Sequence, residues 1–251
     1  MTGVSIVIPT LNEASCLERT LRHLMLLNPS AAEIIIADGN SQDETVAIAH
    51  RLFQEFSPTT QTVLIQSEAQ GRAIQMNRGA RAATGDALCF LHADTLVPDD
   101  LVAIIHNTLA TPKVVCGGFI SLMAGATVTR WGVSFHNFLK TYYAPLLFHP
   151  VLFFKGLRLL FGDQVMFCQR DVFLECGCFN EALPIMEEAD LCLRLVRYGK
   201  IRQVNRIVQS SDRRVAKWGT WKATAIYIYI GFLWGIGVSA TYLKQFYDDI
   251  R

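Results

Sequence analysis

The chain has 251 residues, 51% of them hydrophobic and only 18% charged, with a formal net charge of +1. That length supports one large domain, or one domain with an appended segment, around a sizeable core. Near-neutral charge excludes the strong basic excess of a nucleic-acid binder, and seven cysteines without a CxxC spacing exclude a zinc ribbon or a disulfide scaffold. The thiols read instead as reduced core groups of a cytoplasmic chain.

The opening residues lack the basic and long apolar regions of a signal peptide. Val4–Ile8 is a continuous β-rich run stopped by Pro9, which predicts a buried first strand. Asn12 or Ser15 can cap a helix reaching about Leu27, with Leu17, Leu21 and Leu24 at helical spacing. Glu33–Ala37 predicts a second strand, ending at Asp38-Gly39. Ser41-Gln42-Asp43-Glu44 has the capping-box pattern ahead of a helix to about Phe56. A third strand follows at Thr62–Ile65 and a helix at Gly71–Ala83. The run Ala87–Thr95 then reads as a buried strand that ends abruptly in His92-Ala93-Asp94, and Pro98-Asp99-Asp100 opens another helix. Strand and helix thus alternate to residue 110, which predicts an α/β fold built on a mostly parallel sheet.

Asp38 follows the second strand and Asp94 the fourth, so both belong to one carboxyl edge, where open α/β sheets bind ligands. A carboxylate at the mouth of a buried strand is costly unless something pairs with it. Asp94, with His92 two residues before it, is therefore a candidate metal or phosphate site; an Asp that merely binds its own loop is the alternative. The polar loop Thr10-Leu11-Asn12-Glu13 adds to the same edge. No GxGxxG follows the first strand and no GxxxxGK[ST] occurs, which argues against dinucleotide and P-loop sites.

Four ordered motifs carry a resemblance. Val-Ile-Pro-Thr-Leu-Asn-Glu at 7–13, Ala-Asp-Gly-Asn-Ser at 37–41, Gly-Arg-Ala-Ile-Gln-Met-Asn at 71–77 and Leu-His-Ala-Asp-Thr at 91–95 resemble the family 2 glycosyltransferases of GT-A fold, over roughly residues 4–208. The wording of the third and fourth is similar to a bacterial subgroup of small single-domain members. The resemblance implies that Pro9, Thr10, Asn12, Glu13 and Asp38 hold a nucleotide. It implies that Arg72 pairs with a diphosphate, an interaction suited to a guanidinium, while Gln75 and Asn77 supply neutral hydrogen bonds. The family's DxD reads His92-Ala93-Asp94 here, with Asp94 expected to touch a divalent metal, Mn²⁺ or Mg²⁺. One carboxylate can suffice when phosphate oxygens complete the shell. His92 suits a ribose contact better than a hard cation. All six histidines lie at or before residue 149, so none comes from the C-terminal third.

In the second half, Gly117 and Gly118 sit inside the strand-like run Val114–Leu122, where glycine permits close approach of a ligand; in the resemblance this strand faces the donor sugar. Gly162–Gln169 reads as a further strand. Glu187, Glu188 and Asp190 cluster at a helix start, where the macrodipole alone favours acids. The resemblance makes Glu188 the general base, Glu187 its neighbour and Asp190 part of the same catalytic motif. Residues 131–161 crowd aromatic side chains among Lys140, Lys155 and Arg158, with Pro145 and Pro150 expected to break any long helix. They read as a second core layer or as an interfacial membrane contact. Ala223–Leu243 is uncharged and long enough to span a bilayer, yet Gly235, Gly237 and polar residues dilute it. Two amphipathic helices lying on the domain or on a membrane surface are expected, after a transferase domain at 1–210. Arg213 and Arg214, just before them, can reach the donor diphosphate.

The expected activity is inverting transfer of a sugar from a UDP- or GDP-type nucleotide sugar to an acceptor hydroxyl, assisted by a metal and a carboxylate base. The acceptor stays open, a lipid-linked one included, and the location is cytoplasmic or peripheral on the inner membrane face. A nucleotidyltransferase would want a basic first loop, which residues 9–18 lack. A non-catalytic nucleotide-sugar binder is the other alternative.

Overall fold

A computed structural model describes residues 3–67, 69–125 and 127–247; the outermost residues of the expected domain and C-terminal segment, 1–2 and 248–251, lie outside them. The first half alternates as its pattern dictates: β1 (Val4–Thr10), α1 (Ala14–Leu24), β2 (Glu33–Asp38), α2 (Thr45–Phe53), β3 (Gln61–Gln66), α3 (Arg72–Ala82), β4 (Ala87–Phe90) and α4 (Leu101–Leu109). The second half contributes β5 (Val114–Ala124), α5 (Trp131–Phe148), α6 (Pro150–Lys155), β6 (Phe167–Gln169), α7 (Arg170–Glu175), α8 (Glu187–Leu195) and β7 (Lys200–Ser211). It closes with α9 (Arg213–Trp218), α10 (Thr220–Gly235) and α11 (Ala240–Leu243).

The seven strands form one sheet in the order β3-β2-β1-β4-β6-β5-β7. Only β6 runs antiparallel to its neighbours β4 and β5. The registers Thr10↔Asp38 and Asp38↔Gln66 align the carboxyl ends of the first three strands. Because β1 leads to β2 on one side and pairs with β4 on the other, the chain reverses direction across the sheet between β1 and β4. That crevice is where such sheets bind ligands. The strands β1, β2 and β4 are buried on both faces, as parallel strands covered by helices must be. One core layer joins Leu17, Leu21, Leu52 and Ile105 to the sheet, and the other joins Met76, Phe173, Leu191 and Leu195.

Several local expectations change. Helix α1 starts at Ala14, and its preceding residue Glu13 makes no side-chain cap; neither Asn12 nor Ser15 caps it. Asp43 accepts from the backbone of Thr45 and of Ala14, so it joins two helix starts where a capping box was expected. Residues Gly162–Gln164 form a single 3-10 turn and only Phe167–Gln169 is strand. Pro145 does not stop α5, which runs through it to Phe148, because the helix is propped along its length by the sheet and α10.

Candidate active site

The crevice opens into a cavity of about 660 Å³. Thr10 enters it from the end of β1 and Glu13 from the loop that follows, Arg72 and Gln75 from the start of α3, and His92 and Asp94 from the loop after β4. Glu187 and Glu188 enter from the first turn of α8, facing them across the crevice. Pro9 completes the β1 side.

Two charged clusters organise the cavity. In the first, Nη2 of Arg213 donates to Asp94 Oδ2 at 2.6 Å and to Glu13 Oε2 at 3.1 Å. The loop carrying Asp94 is pinned by Thr20, whose hydroxyl donates to the Ala93 carbonyl at 2.6 Å. In the second, Arg72 donates to Glu187 Oε1 at 2.6 Å and stands 3.6 Å from Glu188 Oε1. Both carboxylates are buried, at 2% and 4% exposure. Glu188 Oε1 and His92 Nε2 are buried without a hydrogen-bond partner. They meet at Gly162, where an added Cβ would lie 2.6 Å from His92 Nε2 and 2.7 Å from Glu188 Oε1. The backbone is bare at the point where carboxylate and imidazole converge.

Other expected site residues lie off this cavity. Asp38 is fully buried; it accepts from Thr10 Oγ1 at 2.9 Å, from the Ser41 amide at 2.9 Å and from the Ser41 hydroxyl at 2.6 Å. Three of its acceptor sites thus fasten the β1 and β2 ends. Asn12 does the same from outside, accepting from the Gln42 amide at 2.8 Å. Asn77 is buried in α3 and exchanges bonds with both backbone groups of Phe179, at 2.9 Å each. Gly117 and Gly118 do not reach the cavity: a Cβ on the first would stand 2.4 Å from Phe167 and on the second 3.0 Å from Leu160. A side chain at either position would collide with the residues that overlie β5. Asp190 pairs with Arg194 at 2.8 Å, one turn along α8. Gln75 lines the cavity, but its amide donates to the carbonyls of Thr10 and Ala37, so it buttresses the strand ends.

A model of the family described as glycosyl transferase family 2 matches residues 5–173. The chain belongs to that family. A PGL/p-HBAD biosynthesis glycosyltransferase of Mycobacterium bovis is 32% identical over 193 residues, covering 76% of this chain and 68% of its own. Among solved structures, a mannosyltransferase of Pyrobaculum calidifontis in complex with GDP-Man and Mn²⁺ superposes with a TM-score of 0.71 at 18% identity. It covers 98% of this chain and 68% of its own. A glucosyl-3-phosphoglycerate synthase of Mycobacterium tuberculosis, in complex with Mn²⁺, UDP and phosphoglyceric acid, follows with a TM-score of 0.61 at 18% identity. Its coverage is 94% and 79%. The fold of this glycosyltransferase is therefore GT-A.

The electrostatics of the glycosyltransferase cavity follow from burial. Desolvation pushes the Glu188 carboxyl up to about 7; Arg72 opposes this and Glu187 adds to it. Burial, and then Arg72, lowers His92 to about 4, so its imidazole is neutral at pH 7. Burial alone would lower Arg72, but Glu187 and Glu188 more than offset it and hold the guanidinium charged. Arg213 is likewise raised, Asp94 and Glu13 outweighing its desolvation.

The corner between Asp94 and Glu13 presents two oxygens to one positive charge. That donor set fits a hard divalent cation. Among the described residues no group of three or more His, Cys, Asp or Glu converges, so a metal there would need phosphate oxygens to complete its shell.

Residues that the motifs do not supply also line the cavity. Asp163 stands in the 3-10 turn and accepts from Asn137 at 3.1 Å. Lys140 lies 3.7 Å above the Phe161 ring, its pKa lowered to about 8 by burial. Tyr247 accepts from Arg214 and packs near Tyr227. The only sequence signal for these is a lone Lys in an otherwise uncharged helix, and bases preceding an apolar run.

Proposed function

We propose that this glycosyltransferase moves a sugar, with inversion, from a nucleotide-diphosphate sugar to an acceptor hydroxyl. Glu188 is the general base. The observation that carries this reading is the buried Glu188 carboxylate with an unbonded oxygen at the cavity floor, poised to titrate near pH 7 and flanked by a neutral His92. Solved relatives in complex with GDP-Man or with UDP, each with Mn²⁺, support the donor class. Residues 1–210 act as the transferase domain in this reading, and the described residues after them, Arg213, Tyr227, Ile230 and Tyr247 among them, line one side of its cavity.

In the reaction Glu188 takes the proton of the acceptor hydroxyl as its oxygen bonds the anomeric carbon. The bond from that carbon to the diphosphate oxygen breaks on the opposite face, and the diphosphate leaves with the electron pair. Arg72 binds Glu187 at 2.6 Å and stands 3.6 Å from the base, Glu188. His92 is placed to exchange a neutral hydrogen bond with the sugar or ribose. Asp94, with Glu13 beside it, would hold a divalent metal, whose positive charge would offset that developing on the diphosphate. The cation at this corner, Arg213, is the protein's own group suited to the same diphosphate.

The test is a screen of UDP- and GDP-sugars with Mn²⁺ for donor hydrolysis and transfer, with the anomeric configuration of the product read by NMR. Retained configuration would overturn inversion. Full turnover by Glu188→Gln would overturn the base assignment.

A further inference from the structure

We propose that the outward faces of α5 and α10 form a docking surface for an anionic lipid bilayer, placing the cavity at the membrane. On α5 the exposed or half-exposed residues include Trp131, Phe135, Phe138, Leu139, Tyr142 and Leu146. On α10 and the residue after it they include Trp221, Ala225, Ile228, Tyr229, Phe232 and Ile236. Both sets fall at offsets 0, 4, 7, 8, 11 and 15, one apolar stripe on each helix. No charge interrupts either stripe. Trp221 is 89% exposed and Phe154, on the adjoining α6, is 81% exposed.

The two helices are neighbours, with Phe148 stacked edge-on to Phe232 at 5.9 Å. Their inward faces are already satisfied: Val133 and Ala223 share one core cluster, and Ile230 packs with Ile185 and Leu243 in another. Beyond Lys222, helix α10 carries no charge, yet it is covered on one side only. Amphipathic helices lying on the domain or on a membrane surface were expected. A helix apolar on every face is normally covered on every face.

Charge selects the occupant. The chain has 22 acidic residues, but none falls within 131–162 or 213–247. Lys155, Lys217 and Lys222 are exposed there, beside Phe154 and Trp221. Aromatic and aliphatic side chains ringed by bases, without acids, match an anionic lipid headgroup layer. No helix of the described residues is long and apolar enough to cross a membrane, so the contact is interfacial.

Tyr227, Ile230 and Gly231 of α10 line the cavity on the side of the helix opposite the stripe. One helix thus meets lipid outwardly and the acceptor space inwardly. An acceptor hydroxyl carried on a lipid would reach Glu188 over a short path. This last step rests on the transferase reading above; the docking does not.

The test uses the full chain and vesicles of phosphatidylcholine with and without phosphatidylglycerol. Cosedimentation with the anionic vesicles is expected, falling about 10-fold or more in their neutral counterparts and at high salt. The triple variant Phe135→Ser, Trp221→Ser, Ile228→Ser should lose binding by a similar factor, with its melting temperature and its affinity for UDP- or GDP-sugars unchanged. Should that variant not fold, Lys155→Glu, Lys217→Glu, Lys222→Glu carries the test, with the same loss expected. Brominated lipid should quench the parent's tryptophan emission. Absence of binding, equal binding by the folded variants, or a dimer that the serine variant dissolves would overturn the docking surface. Vesicle binding by a chain that takes no nucleotide sugar would overturn the transferase reading and leave the surface standing.

Discussion

Among single residues, the proposed base Glu188 and the bare backbone of Gly162 opposite it carry the sharpest tests. Glu188→Gln should lower turnover by about 10²-fold or more while donor affinity stays, the loss expected for a general base. In the parent, the base must be ionised, and its carboxyl is raised to about 7. Turnover at low substrate should therefore climb as pH rises through about 7 and level off above it, and a pH–rate profile reads this directly. Gly162→Ala would place a methyl 2.6 Å from His92 Nε2 and 2.7 Å from Glu188 Oε1. A displaced base of this kind costs about 10- to 100-fold, so activity should fall by that order in a chain that melts normally. Asp94→Asn should abolish any gain in donor affinity from Mn²⁺, as measured by calorimetry with and without the ion. An unchanged metal dependence would place the cation elsewhere.

Among the elements, α8 delivers its acids only because the loop before it is tied to α3. Asn77 does the tying, through the amide and carbonyl of Phe179. Asn77→Ala would leave both backbone groups buried without partners, which costs about 1–3 kcal/mol. Urea unfolding should show that loss. The value of kcat should fall with it, because the loop that starts at Phe179 leads directly into Glu187 and Glu188. Normal kcat in a destabilised variant would separate the loop from the placement of the base. Asn77, expected to supply neutral hydrogen bonds to the donor, is bonded here to Phe179.

For the molecule as a whole, the site is costly to the fold. A carboxyl raised from its usual 4.5 to about 7 binds its proton more tightly folded than unfolded. Stability contributed by the neutral form is present below pH 4.5 and is lost as pH rises towards 7. Over that window the loss grows by about 1.4 kcal/mol per pH unit. Glu188→Gln escapes that loss, so its advantage in melting temperature over the parent should open between pH 4.5 and 7 and amount to several degrees at pH 8. Thermal melts across that range are the check; a constant difference would mean that Arg72 fully compensates the buried charge.

The parallel half of the sheet is legible in the amino-acid order alone, because apolar runs of β-branched residues separated by helical periods have one economical arrangement. So is the carboxyl edge of those strands, with Thr10, Glu13, Asp38, His92 and Asp94 on it, whereas Arg72, Glu187 and Glu188 were expected at the site from the family resemblance. Which polar side chains at that edge remain free to act is settled by packing in three dimensions. Asp38, Asn12, Asn77 and Asp190 carry suitable groups in suitable motifs but do not line the cavity, whereas Asp94, Glu13, Arg72 and Glu187, paired with one another or with Arg213, do. Gly117 and Gly118 answer to Phe167 and Leu160, residues some forty or more positions away in the chain. Likewise β6 reverses direction, and the C-terminal helices bring Arg213 to Asp94, through long-range contacts that local periodicity does not encode. A hydrogen bond's second partner and a helix's covered face are properties of proximity in space, and for these residues that proximity exists only once the sheet has closed.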